Sequence, residues 1–159
     1  MKSVAGRLKP LLAFFLILFA APCLSEASEK DTYVKYVIDG DTIAIPGGDT
    51  VRYLGIDTPE RGEPFYREAK YRNRSFVKGK KVTLVFCDKE RLDKYGRLLA
   101  WVYADGVFVN EALLKEGLAR KLLIPPCGTM FADEFKAAED SARAEGLGIW
   151  GGKTGPAVR

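Results

Sequence analysis

The chain has 159 residues, 47% hydrophobic and 29% charged, which suits one globular domain with a real core. It contains no histidine, which excludes Ser-His and Cys-His nucleophile systems and HExxH zinc sites, so any chemistry falls to carboxylates, Lys, Tyr or a hard metal. The formal net charge of +4 is only a weak argument for a polyanionic partner.

The N-terminus reads as an export signal. Lys2, Arg7 and Lys9 form a positive region before Leu11–Ala21, an unbroken apolar run of eleven residues. That run is short for a bilayer span but suits a signal peptide, and Ser25-Glu26-Ala27 places small residues where a signal peptidase cuts. We expect a signal peptide over 1–27, cleavage near Ala27, and a secreted or periplasmic protein with no membrane attachment afterwards. A lipoprotein signal using Cys23 is the rival, with Pro22 a poor fit. Cleavage removes three basic residues and one acidic one and leaves a charge of +2. It also leaves Cys87 and Cys127 as the cysteine pair in an oxidising compartment.

In chain order, Tyr33–Ile38 reads as a strand, and Asp39-Gly40-Asp41 is a turn before a short strand, Thr42–Ile45. Pro46-Gly47-Gly48-Asp49 is a loop, and a third strand runs from Thr50 to Ile56. Pro64 opens a helix that extends to Lys78 and stops at Gly79. Phe65, Ala69, Phe76 and the stem of Arg72 share its inner face. Arg67, Lys70, Arg74 and Lys78 share the other, which is either a solvated surface or a track for nucleic acid. Lys81–Cys87 and Arg97–Tyr103 are strands, with an Asp105-Gly106 hairpin turn into Val107–Val109. Asn110 is placed to cap a helix over Glu111–Glu116, with Gly117 ending it. Leu118–Ile124 is extended until Pro125-Pro126. Thr129 is placed to cap a last helix over Met130–Glu145, burying Phe131, Phe135, Ala138 and Ala142. Leu147–Trp150 is expected to fold back as an apolar plug, and 151–159 to form a flexible tail. The domain therefore spans 28–150, and the pattern is α+β. Its closed form is a five-stranded Greek-key β-barrel of the OB-fold type with three α-helices.

Three polar clusters fall at strand ends: Asp39-Gly40-Asp41-Thr42, Arg52 with Asp57-Thr58-Pro59-Glu60, and Asp93-Lys94-Tyr95-Gly96-Arg97. Taken alone, each is either a solvated hairpin end or part of a site. Two carboxylates and a carbonyl make a hard-oxygen set that favours Ca²⁺ or Mg²⁺. Two arginines fork onto a phosphate, and a third carboxylate, Glu60, could orient or deprotonate water. Together these suggest phosphodiester hydrolysis.

Five ordered motifs, IDGDT, VRYLGIDTPE, LDKYGRLLAWVYADG, VNEALLKEGLA and GLGIW, resemble the staphylococcal nuclease (thermonuclease) family over nearly all of 31–150. The resemblance implies a five-stranded OB-type barrel and a Ca²⁺-dependent nuclease acting on DNA and RNA. It implies that Asp41 and Asp57 bind calcium through carboxylates and Thr58 through its carbonyl. It makes Glu60 the general base, with Arg52 and Arg97 on the phosphate. Lys94 and Tyr95 match residues that contact a terminal phosphate, though Lys94 could equally be a turn lysine. Asp39 is better read as capping its turn. The protein is expected to act as a monomer.

Two departures stand out. Where the family's type member has two tyrosines flanking the base, this chain has Leu123 and Pro125. Tyr66 or Tyr71 could substitute, although packing is the simpler role for either. The connection from Arg61 to Pro64 is shorter than the family's loop, which implies a more open or more rigid site. Cys87 and Cys127 fall at neighbouring positions of the family fold, so a Cys87–Cys127 disulfide is expected, with two buried thiols as the alternative. An OB-fold barrel that has lost catalysis and only binds nucleic acid or protein is the competing function. Such a module would be expected to lack some of Asp41, Arg52, Asp57, Glu60 and Arg97, all of which are present.

Overall fold

We describe residues 28–152 of a computed structural model of the chain. The expected signal peptide, and all of the expected tail beyond Gly152, lie outside the described residues.

The strands are β1 (Glu29–Tyr33), β2 (Tyr36–Val37), β3 (Thr42–Ala44), β4 (Thr50–Tyr53), β5 (Ile56–Asp57), β6 (Lys81–Phe86), β7 (Leu98–Ala104), β8 (Val107–Phe108) and β9 (Arg120–Lys121). The helices are α1 (Tyr66–Val77), α2 (Val109–Lys115) and α3 (Ala132–Ala144). The main sheet runs β1-β6-β7-β4-β3-β2, with β8 added to β7 and β5-β9 forming a separate ribbon. Every pairing is antiparallel except β4 with β7.

The two ends of the main path, β1 and β2, are consecutive in the chain and separated only by Val34 and Lys35. One bent strand thus serves both edges. Counted that way, the path has the five strands expected of an OB-type barrel, and it is joined through the backbone at Val34-Lys35 rather than by a ladder between distinct strands.

Alternation drives the inner wall: in β6, Val82, Leu84 and Phe86 are buried while Lys81, Thr83 and Val85 face outward. Trp101 of β7 is fully buried and meets Phe131 edge-on at a centroid distance of 5.3 Å. Phe135, Ala138 and Ala142 of α3 close the core, as expected from their spacing. Cys87 and Cys127 form the expected disulfide, with a Cα separation of 5.9 Å.

Several sequence expectations are corrected. The first strand begins at Glu29, not Tyr33, because the charged run EKDTY lies on the outer edge of β6, where polar residues suit an exposed ladder. The third strand does not reach Ile56 unbroken: Leu54-Gly55 turns it, and Ile56–Asp57 leaves to pair with β9. A Cβ on Gly55 would lie 2.4 Å from the Phe135 ring, so the turn fits only glycine there. Asn110 does not cap α2; it lies within the helix, fully buried. Thr129 does not cap α3, which starts at Ala132, and its hydroxyl donates instead to the Pro126 carbonyl at 3.3 Å. Of the extended run Leu118–Ile124, only Arg120–Lys121 pairs as strand. Leu147–Trp150 does fold back, with Ile149 N donating to Gly117 O at 2.9 Å, but it forms a 3-10 turn that is half-exposed rather than a buried plug.

Candidate active site

The turn between β4 and β5 is held by Arg52. Its Nη1 donates to Tyr53 O at 2.7 Å and to Ile56 O at 2.8 Å, on either side of Leu54-Gly55. Its Nη2 reaches Asp57 Oδ1 at 2.8 Å and Asp41 Oδ2 at 3.2 Å. One guanidinium therefore satisfies two buried carbonyls and gathers two carboxylates from separate strand ends. The Arg52 side chain is 11% exposed.

Asp41 lies in the turn before β3, and its Oδ2 also accepts the Thr58 N–H at 2.8 Å and the Thr58 hydroxyl at 3.0 Å. Among the described residues its Oδ1 accepts only the Thr42 hydroxyl, at 3.1 Å. Burial pushes the Asp41 carboxyl up to about 6; Asp39 adds to the rise, while Arg52 and the two Thr58 donors oppose it. The close approach of the Asp41 turn to Thr58 requires Gly40, where a Cβ would meet Thr58 Oγ1 at 2.6 Å. Asp39 takes the turn-capping role expected of it, accepting the Asp41 N–H at 3.2 Å.

Asp41, Arg52, Asp57 and Thr58 are thus brought together. Two carboxylates converge on one cationic nitrogen; carboxylate oxygens are the donor class that Ca²⁺ and Mg²⁺ take, and here both groups are held by the Arg52 guanidinium. Among the described residues no group of three or more His, Cys, Asp or Glu could hold a metal, so a cation held here would take most of its shell from elsewhere.

Arg97 is placed differently. Asp93 Oδ1 accepts the backbone N–H of Tyr95 and of Arg97, at 2.9 and 3.0 Å, and Asp93 Oδ2 accepts Arg97 Nε at 2.6 Å. Burial would raise the Asp93 carboxyl, but the Arg97 and Tyr95 donors outweigh it and hold it below its ordinary value. Arg52, Lys94, Tyr95 and Arg97 line one groove of about 420 Å³, with Leu122 and Ile124 among its other walls. The exposed Tyr95 ring has Lys94 Nζ at 5.0 Å and the Arg97 guanidinium at 5.4 Å from its centroid.

Glu60 does not line that groove. It sits in the exposed connection after Pro59, its backbone N–H bound to Glu63 Oε2 at 2.8 Å and its carbonyl accepting Glu63 N at 2.9 Å. The short connection is therefore a turn braced by two hydrogen bonds. The Glu60 carboxylate makes no hydrogen bond or ion pair among the described residues.

Of the two departures at the base position, Leu123 packs against the core and Pro125 is exposed. The groove takes its apolar wall from Leu122 and Ile124 instead. Tyr71 is 59% exposed and does not pack as expected.

Sequence reasoning missed three buried polar ties that position these segments. Asn110 accepts from Val102 N at 3.0 Å and donates to Leu54 O at 2.8 Å, fixing the turn that Arg52 spans. Asn73 accepts from the Tyr53 hydroxyl at 2.8 Å and donates to Asp39 O at 3.0 Å, joining β4 to the Asp41 turn. Glu139, buried on α3, accepts from Lys121 N at 3.1 Å and pairs with Lys121 Nζ, anchoring β9 and through it β5. The available signal was an Asn or Glu lying among the apolar positions of a helix, where an unpaired polar group would be costly.

Comparison with known proteins identifies the family. Residues 50–152 match the family described as staphylococcal nuclease homologue. The chain is 45% identical over 129 residues to the SPbeta prophage-derived endonuclease YokF of Bacillus subtilis (strain 168), covering 76% of this chain and 44% of that protein. It is 47% identical over 122 residues to Endonuclease YncB of the same strain, covering 71% and 58%. To the Thermonuclease of Staphylococcus hyicus it is 34% identical over 141 residues, covering 83% and 82%. The chain thus spans about half the length of the two Bacillus relatives. With the expected barrel, its clustered arginines and carboxylates and a family match over most of its length, the chain belongs to the staphylococcal nuclease homologue family.

Proposed function

We propose that this protein is an exported, monomeric, Ca²⁺-dependent nuclease that hydrolyses phosphodiester bonds of DNA and RNA. The observation that carries the reading is that Arg52 lines the same groove as Arg97 while its Nη2 also binds Asp41 and Asp57. Arg52 therefore joins the groove of Arg97 to the Asp41–Asp57 pair of carboxylates. The names of the YokF, YncB and Thermonuclease relatives support the same class of reaction.

In this reading Arg97 holds the scissile phosphate in the shared groove with Arg52 beside it, and their positive charge stabilises the negative charge that builds on its equatorial oxygens. Glu60 accepts the proton of an attacking water as the new P–O bond forms and the ester oxygen leaves. The Glu60 carboxylate has no partner among the described residues and stands two residues past Thr58, outside the lining of the groove, so the role rests on the family resemblance. Asp41 and Asp57 would hold Ca²⁺ with the Thr58 carbonyl, and the bound ion would supply Lewis-acid stabilisation of the phosphate charge. Lys94 and Tyr95 would meet the rest of the nucleotide, with Leu122 and Ile124 offering an apolar surface.

The test is to digest plasmid DNA, single-stranded DNA, RNA and a nucleoside diphosphate ester side by side, in Ca²⁺ or in EGTA. Calcium-dependent cleavage of both DNA and RNA is the expected result. Cleavage of the small ester alone would restrict the enzyme to nucleotides, and binding without cleavage would make it a binding module.

A further inference from the structure

The outer face of α1 is a row of cations without counter-charges. Lys70 and Arg74 lie four residues apart on α1, and Lys78, the residue that ends the helix, follows at the same interval, so Arg74 has a cation on either side. None of the three forms an ion pair among the described residues. The other helices are built differently. On α2, Lys115 pairs with Glu111, and on α3, Lys136 pairs with Asp140 and Arg143 with Glu139, each four residues apart. Uncompensated like charges at this spacing disfavour a helix, so only α1 carries that penalty.

A second element completes the surface. Lys35, in the bend between β1 and β2, joins Lys70, Arg74 and Lys78 around one cleft of about 310 Å³, with Tyr36 on its wall. The Tyr36 side chain is 56% exposed, and Tyr71, one helical turn from Arg74, is exposed on α1. Cations arranged along a groove beside exposed aromatic rings are what a nucleic-acid strand requires: charge for successive phosphates and flat surfaces for bases. None of these residues lines the groove of Arg52 and Arg97.

We infer that the cleft between α1 and the β1–β2 bend is a second binding surface for the phosphodiester backbone of single-stranded DNA, separate from the cleavage site. It rests on the proposed nuclease function only for the identity of the polyanion. The helix begins six residues after Glu60 and is about 18 Å long at the usual rise, so the surface serves long substrates and not dinucleotides.

The test compares the wild-type protein with the triple variant Lys70→Gln, Arg74→Gln, Lys78→Gln. Binding of a fluorescein-labelled 30-nucleotide DNA is followed by anisotropy in EDTA across a salt series. The variant should lower the slope of log K against log salt by about 2, from three lost phosphate contacts at about 0.7 each. A Lys70→Arg, Lys78→Arg variant keeps the charge and should keep the slope. In Ca²⁺, the loss of kcat/KM on the 30-nucleotide DNA should exceed that on a dinucleotide by about tenfold or more. An unchanged slope in a folded triple variant would overturn the inference. So would equal losses on both substrates, or binding of anionic phosphatidylglycerol vesicles but not DNA through these residues. If the wild type cleaves nothing but the slope still falls, the nuclease reading fails and the second surface stands.

Discussion

The two arginines expected to meet the phosphate sit in unlike surroundings. Arg52 is 11% exposed and bonds to two carbonyls flanking the β4–β5 turn and to two carboxylates, whereas Arg97 is 31% exposed and, among the described residues, forms an ion pair only with Asp93 of its own turn. Arg52 is part of the framework before any substrate arrives. Arg97 is held by a local turn that would survive without its side chain. A residue type at a strand end therefore does not reveal whether the fold depends on it; the partners do.

The strongest way to sharpen that contrast is a residue with a free side chain. Glu60→Gln should lower kcat by about 10²–10⁴-fold and leave the thermal midpoint unchanged, as read by cleavage assay and calorimetry. An active Glu60→Gln protein would remove Glu60 from the mechanism. Next, Arg52→Gln should lose about 10²–10³-fold in kcat and also destabilise the protein, because Tyr53 O and Ile56 O lose their donor at about 1–3 kcal/mol for a buried unsatisfied group. Arg97→Gln should show a similar catalytic loss with a stability change within about 0.5 kcal/mol. Equal destabilisation of the two arginine variants, measured by urea titration, would break the comparison.

The smallest catalytic effect is expected from the disulfide. Cys127 lies one residue before Gly128, which lines the groove, and the bridge to Cys87 spans 40 residues. Replacing both cysteines with serine should cost roughly 2–4 kcal/mol of stability, while kcat falls far less than in any of the three charge variants. A catalytic loss as deep as that of Arg97→Gln would show that the Ile124–Gly128 wall depends on the bridge.

Much of the fold could be read from the chain because its strands alternate and its helices show apolar faces, as in β6 and α3. What could not be read were features set by distant partners. Asn110 looks like a cap from its neighbours alone, and only the approach of Val102 and Leu54 explains why it is buried inside α2. The break at Leu54-Gly55 is likewise set by partners away from it: Arg52 spans it, Asn110 holds Leu54 O, and the Phe135 ring leaves no room for a Cβ at Gly55. The site residues were legible as a set because the motifs carrying them resemble a known family. That Asp41, from a separate turn, converges with Asp57 on Arg52 is a fact of tertiary geometry that no spacing encodes, whereas the brace of Glu60 through Glu63 is a local turn three residues wide.

The central claim is that the Asp41–Arg52–Asp57 cluster and Glu60 serve Ca²⁺-dependent phosphodiester hydrolysis. It is tested most directly by the initial rate on single-stranded DNA in Ca²⁺, after addition of EGTA, and after Ca²⁺ is restored, with Glu60→Gln measured alongside. Cleavage should stop in EGTA, return with Ca²⁺, and be weak throughout in the variant. A wild-type rate undiminished in EGTA would contradict the claim.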